Sequence, residues 1–159
     1  QDVVGAAGAL AGSGATAREA VFRVPLPRVQ TAIRRVPLDA TGTVDPVAAL
    51  RLAETQAANR AGEQARTATG RPAAAAATES ARLGSGCACV VALVVELDPS
   101  DPAVLHGLAR RPAVRAIEVA PVGAGALAVS PLLPEQIDDG RDPPETVGPV
   151  PDDGPVPPP

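Results

Sequence analysis

Residues 87–97 read CACVVALVVEL, and this stretch decides the fold. It is rich in β-branched valine, and only Glu96 interrupts its apolar side chains between Cys89 and Leu97. A nearly continuous apolar run of this length is typical of a strand that is covered on both faces or lies in the middle of its sheet. We therefore predict that residues 89–97 form the central strand.

The residues after this strand predict a helix, a second strand and a hairpin. Pro102 suits the first position of a helix that ends before Pro112. Apolar residues alternate over 114–122, which predicts a strand, and glycines then allow a turn into a last strand over 126–130. The apolar residues that we expect to be buried together are Val91, Leu93, Val95, Leu105, Leu108, Ile117 and Val119.

The first third of the chain predicts less regular structure. Residues 1–20 contain four glycines without a sustained period, which predicts a flexible lead. Apolar side chains alternate over residues 21–26, which is typical of a short strand, and Pro25 indicates that it lies at the edge of the sheet. Pro27 suits the first position of a short amphipathic helix that Pro37 ends.

The clearest helix start is Asp45-Pro46, because an Asp N-cap accepts a hydrogen bond from an orphan amide and proline removes another. An alanine-rich stripe then predicts a long helix as far as Gly70. Residues 71–86, with five consecutive alanines, are either a second short helix or a linker.

Together these elements predict one α+β domain over residues 21–134, with a small, mostly antiparallel sheet and helices on one of its faces. The chain has 159 residues, which suits one domain. Phe22 is its only aromatic residue, so the core must consist mainly of Val, Leu, Ile and Ala. Residues 135–159 form an acidic, proline-rich tail that we expect to be extended and disordered or laid across a surface.

The charge distribution argues against nucleic-acid binding. The net charge is −4, but residues 1–134 carry 13 arginines and 11 acidic residues, and the tail carries one arginine and seven acidic residues. A nearly neutral body without a basic stripe cannot neutralise phosphates. The longest apolar run is also far shorter than the roughly 20 residues that cross a bilayer. We expect no membrane span in this chain, although a signal peptide or an anchor ahead of Gln1 suits its glycine-rich start.

Residues 90–121, which end in AVLHGLARRPAVRAIEVAP, resemble the second half of ferredoxin-like α/β modules. They look most like the prosegments of subtilisin-type proteases, whose pattern is matched here by Leu108, Pro112, Val114 and Glu118. The resemblance implies a protease propeptide or an inhibitor-like module. In style, the whole chain also resembles uncharacterised outer-surface domains of membrane-anchored proteins from GC-rich bacteria.

Cys87 and Cys89 are the only cysteines and the one possible disulfide. In an extended strand their side chains point to one side but lie too far apart to bond, so a Cys-x-Cys disulfide requires a kink at Gly86. The alternatives are pairing with another chain, a soft-metal pair for an ion such as Cu(I), or two buried thiols. Because no third ligand lies nearby in the sequence, we expect no metal and no cofactor.

His106 is the only histidine, and a thiol-based enzyme would have to combine it with Cys87 or Cys89. No catalytic motif supports that reading, so we expect no enzymatic activity and assign no catalytic residue. The sequence favours a noncatalytic extracytoplasmic module for interaction or sensing, whose partner is another protein or a second copy of the chain. The protease-propeptide reading is the alternative, and the thiol enzyme or soft-metal binder is the third.

Overall fold

The computed structural model describes residues 1–27, 29–38, 45–98, 102–121 and 154–159. Over these ranges the chain forms an α+β domain with four helices and three antiparallel strands. In chain order the elements are α1 (Val3–Gly8), β1 (Thr16–Phe22), β2 (Arg34–Pro37), α2 (Pro46–Thr67), α3 (Gly70–Gly84), β3 (Val90–Glu96) and α4 (Pro102–Ala109).

The three strands are arranged in the order β2-β1-β3, and both pairings are antiparallel. The pair Ala20 and Leu93 joins β1 to β3, and the pair Val21 and Arg35 joins β1 to β2. The predicted position of the valine-rich strand is therefore wrong, because β3 is an edge strand among the described residues and β1 is central. Residues 91–95 are accordingly only half-buried.

The predicted flexible lead over residues 1–20 is wrong as well. Asp2 caps α1 by accepting a hydrogen bond from the Gly5 amide, and Val3, Ala6 and Ala7 are buried. The turn after α1 uses the left-handed φ values of Gly12 and Gly14, and β1 begins at Thr16. These small side chains show weak sequence periodicity, but they pack closely enough to order the segment.

The described residues between β1 and β2, 23–27 and 29–33, form no helix. The Val29 amide donates a hydrogen bond to the Leu26 carbonyl, and the Thr31 hydroxyl donates to the Val24 carbonyl. These bonds close a tight turn, and the expected helix from Pro27 to Pro37 is replaced by that turn and by β2. The spacing of apolar residues predicted a helix here, but the hydrogen bonds between β2 and β1 determine the path of the chain instead.

The Asp45-Pro46 helix start is confirmed. The Asp45 carboxylate accepts hydrogen bonds from the amides of Val47 and Ala48 at 3.4 and 3.3 Å. Residues 71–86, left open between helix and linker, belong largely to α3, which packs along α2. The alanines let the two helices approach closely: Ala57 and Ala61 are fully buried, and the Ser80 hydroxyl donates to the Ala58 carbonyl.

The core lies between β1, β2 and the long helices. Its largest fully buried side chains are Phe22, Leu50, Leu83, Val21, Val36, Thr78 and Cys89. Of the seven residues predicted to be buried together, only Leu108 is buried, and Leu93 packs partly against the core.

The predicted helix from Pro102 is confirmed as α4, but residues 114–121 form no strand. Ile117 and Val119 are therefore exposed. An alternating segment gains ladder hydrogen bonds only beside a partner strand, and 114–121 has none among the described elements. The expected last strand over 126–130 and the tail over 135–153 lie outside the described residues.

Candidate functional site

The two cysteines lie in the short connection between α3 and β3. They are joined by a disulfide, with their Cα atoms 5.2 Å apart. Gly86 has a left-handed φ of 77°, and the chain bends at Ala88, so Cys87 and Cys89 are not part of the extended strand. The kink that the sequence required is therefore present, and the bond lies within one chain.

The two sulfur-bearing residues differ in exposure. Cys89 is fully buried and belongs to the core, whereas Cys87 is half-buried. A reagent from solvent therefore meets the disulfide from the Cys87 side.

A buried carboxyl group lies against this connection. Glu54 on α2 is only 6% exposed, and its Oε1 accepts a hydrogen bond from the Cys87 amide at 3.3 Å. Burial raises the pKa of Glu54 above its ordinary value, although the Cys87 amide and Arg51 act in the opposite direction. Glu54 lies four residues after Leu50, where either it or Ala53 can occupy the apolar stripe of the helix, and a carboxyl in register with buried residues is the signal that could have identified it.

The C-terminal segment, residues 154–159, lies across the domain without regular secondary structure. Arg71 Nη2 donates to the Gly154 carbonyl at 2.6 Å, and Thr78 Oγ1 donates to the Pro157 carbonyl at 2.7 Å. Both donors lie on α3, and the Val156 side chain packs against the core. Over these residues the tail therefore takes the surface-bound form that its composition allowed.

An open groove of about 540 Å³ separates this segment from the turn after β1. We call it the cysteine groove, because Cys87 forms part of its wall. Its lining residues are Val24, Pro25, Leu26, Pro27, Arg82, Cys87, Gly154, Pro155 and Pro157. The groove has the size of a small-ligand site, and the half-buried member of the disulfide lies in its wall.

His106 lies elsewhere. It lines a shallow pocket with Leu105, Val114 and Ile117, and neither cysteine contributes to that pocket. Within the parts of the chain that the structure describes, no three His, Cys, Asp or Glu residues are grouped so that they could hold a metal ion.

None of the helices in the described ranges combines the length and the apolar character needed to cross a bilayer. Comparison with protein-family models gave no match, and neither curated protein sequences nor solved structures gave a significant one.

Proposed function

We propose that this chain is a noncatalytic, extracytoplasmic module for interaction or sensing, and that one face of α3 binds an extended proline-rich segment. The observation that carries the proposal is the seating of residues 154–159 on that face. Two side chains of α3 bind carbonyl groups of the segment, and Val156 inserts toward the core.

The chemistry of this contact suits proline-rich chains in general. Proline has no amide hydrogen, so such a segment offers mainly carbonyl oxygens, and both polar contacts here are made to carbonyls by side-chain donors. An extended proline-rich segment is also largely ordered before it binds, which lowers the entropic cost of binding. The face is therefore suited to a partner that resembles the chain's own C-terminus.

A second copy of this chain is the partner that fits best. In the sequence, 32 residues connect Pro121 to Gly154, and a chain of that length spans at most about 110 Å. The same segment can therefore reach the α3 face of its own domain or that of a neighbour. Exchange of C-terminal segments would give self-association without any further surface.

The disulfide supports the extracytoplasmic location. Such bonds persist in oxidising compartments and are rare where cellular thiols keep cysteines reduced. The bond between Cys87 and Cys89 suits a domain outside the cytoplasm, either secreted or held by an anchor.

The test is a titration of a labelled GPVPPP peptide into the intact chain and into Val156→Asp, which places a charge where the segment contacts the core. Release of the chain's own segment should leave the face free, so the variant should bind the peptide at least about tenfold more tightly than the parent. Pro158→Asp is the matched control, because Pro158 is exposed in the same segment and the charge change is the same.

Thr78→Val in the Val156→Asp background should weaken peptide binding, since it removes the donor to the Pro157 carbonyl. Sedimentation velocity of the parent over a concentration series tests self-association. Equal peptide affinity of the Val156→Asp and Pro158→Asp chains would overturn the proposal.

The protease-propeptide alternative rests on the resemblance of residues 90–121. The helix of that pattern corresponds to α4, whereas its strand is not formed over 114–121. Under our proposal, micromolar protein should leave subtilisin-type proteases uninhibited, and potent, slowly reversed inhibition would favour the alternative.

A further inference from the structure

We propose that Cys87 and Cys89 form a thiol–disulfide exchange site for low-molecular-weight thiols, and that Glu54 holds and releases the proton which the exchange requires. This site goes beyond the binding of proline-rich segments: it is a stoichiometric, redox-sensing exchange of the chain's own disulfide, so the module remains noncatalytic. It rests on three placements: the cysteine groove, the unequal burial of the two cysteines, and the buried carboxyl hydrogen-bonded to their connection.

The groove determines which sulfur is attacked. Cys87 is half-buried and forms part of the groove wall, so the proposal places the attack of a small thiolate on its Sγ atom. Cys89 is fully buried and is therefore the leaving group. The same arrangement makes Cys89 the resolving thiol in the reverse direction, because it is close in the chain and shielded from other reagents.

The exchange balances without a metal or a cofactor. A thiolate RS⁻ attacks Cys87 Sγ, the bond between Cys87 and Cys89 breaks, and the electron pair of that bond leaves on Cys89 as a thiolate. That thiolate takes a proton and becomes a thiol. A second RS⁻ then attacks the external sulfur of the mixed disulfide, which releases RSSR and leaves Cys87 as a thiolate. Two thiols are thus oxidised, and one protein disulfide is reduced.

In this proposal Glu54 supplies and receives the proton, because it is the buried carboxyl hydrogen-bonded to the connection that carries the cysteines. Its Oε1 accepts a hydrogen bond from the amide of Cys87, which ties the carboxyl to the three-residue segment 87–89 that contains both sulfurs. Two charged residues act on it besides that amide: Asp2, just before α1, and Arg51, one helical turn earlier on α2. Burial in this setting raises the pKa of Glu54, so more of the carboxyl stays protonated and able to donate.

The first test measures which thiol is reachable. In Cys89→Ser the remaining thiol is Cys87, and in Cys87→Ser it is Cys89. Native alkylation by iodoacetamide, followed by intact mass, should modify Cys87 at least about tenfold faster than Cys89, because the burial of Cys89 keeps reagents away. Equal rates in folded protein would overturn the assignment of Cys87 as the attacked residue.

The second test concerns Glu54 as a positioning and proton-handling group. Reduction of the intact protein by glutathione is followed from pH 4.5 to 8.5 for the parent, Glu54→Gln and Glu63→Gln. Glutamine still accepts the hydrogen bond from the Cys87 amide but cannot titrate, and Glu63 is an exposed residue of the same helix.

The rate per thiolate should show an acid-side inflection in the parent and in Glu63→Gln but not in Glu54→Gln. At pH values below that inflection, Glu54→Gln should react at least about tenfold more slowly than the parent, because the parent carboxyl is protonated there and can donate. A profile for Glu54→Gln that matches the parent would overturn the role of Glu54. If that variant fails to fold by circular dichroism, Glu54→Asp replaces it and must shift the inflection. Peptide binding is measured in a separate experiment, so a negative result here would not contradict the proposed binding of proline-rich segments by α3.

Discussion

Arg34 Nη2 lies 2.6 Å from Glu79 Oε2, and this ion pair joins β2 to α3 in the interior of the domain. The side chains are only 10% and 4% exposed. Glu79 Oε1 also accepts a hydrogen bond from the Ala32 amide, and Gln64 accepts one from Arg34. The carboxylate therefore holds both the backbone just before β2, at Ala32, and the side chain of Arg34, the first residue of β2.

Glu79→Ala should lower the free energy of unfolding by about 3–5 kcal/mol, because it leaves the Arg34 charge buried without its counter-charge. Urea denaturation followed by circular dichroism measures the difference. The matched control is Glu96→Ala, which removes a partner of Arg18 from an ion pair whose side chains are 44% and 62% exposed. An exposed pair of this kind contributes about 0–1 kcal/mol. Equal losses in the two variants would contradict the structural role given to Glu79.

A second prediction concerns the two long helices, which begin differently. Asp45 caps α2 through two amides, whereas the Thr69 side chain makes no cap hydrogen bond at the start of α3. Asp45→Ala should therefore cost about 1 kcal/mol, within the usual range of about 0.5–2 kcal/mol for an N-cap. Thr69→Ala should be nearly neutral in the same urea experiment. A larger loss at Thr69 than at Asp45 would show that the caps are assigned wrongly.

The sequence was most informative where local chemistry alone determines structure. Asp45-Pro46 predicted the start of α2 because a cap acts over three residues. By contrast, the run after Cys89 was correctly predicted as a strand but wrongly as the central one, since an apolar run does not specify how many strands flank it. The order of residues 1–20 depends on distant partners: Arg111 donates to the carbonyls of Gly8, Ala9 and Ala11, at separations of 100 residues or more.

The candidate site shows the same division. The proximity of Cys87 and Cys89 was evident from their spacing, and a kink near Gly86 followed from strand geometry. The contact of Glu54 with Cys87 joins residues 33 positions apart, and the contact of Thr78 with Pro157 joins residues 79 positions apart. The first contact follows from the packing of α2 beside the connection that leaves α3, and the second from the seating of residues 154–159 on α3, so neither partner could be read from a local pattern.

The third prediction compares two leucines on α2. Leu50 is 1% exposed and belongs to the core, whereas Leu52 is 58% exposed. Leu50→Ala should cost about 2–5 kcal/mol because it leaves a cavity beside the sheet. Leu52→Ala should change stability by no more than about 0.5 kcal/mol. Thermal melts of the two variants provide the measurement, and similar melting temperatures would mean that α2 presents a different face to the core.

The last prediction is a pH dependence of stability that arises from Glu54. Burial raises the pKa of this carboxyl in the folded state, so the folded protein holds the proton more tightly than the unfolded chain does. The stabilising contribution of the Glu54 carboxyl is therefore fully present below the unfolded-state pKa and is lost as the pH rises through the folded-state pKa.

Glu54→Gln keeps the acceptor for the Cys87 amide and never becomes charged, so it should melt at a higher temperature than the parent at pH 7.5. That gap should shrink toward pH 4, where the parent carboxyl is protonated as well. Glu63→Gln, which makes the same change on the exposed side of α2, controls for net charge and should show no such pH-dependent gap. A difference between Glu54→Gln and the parent that grows toward acid pH would have the wrong sign for a buried carboxyl.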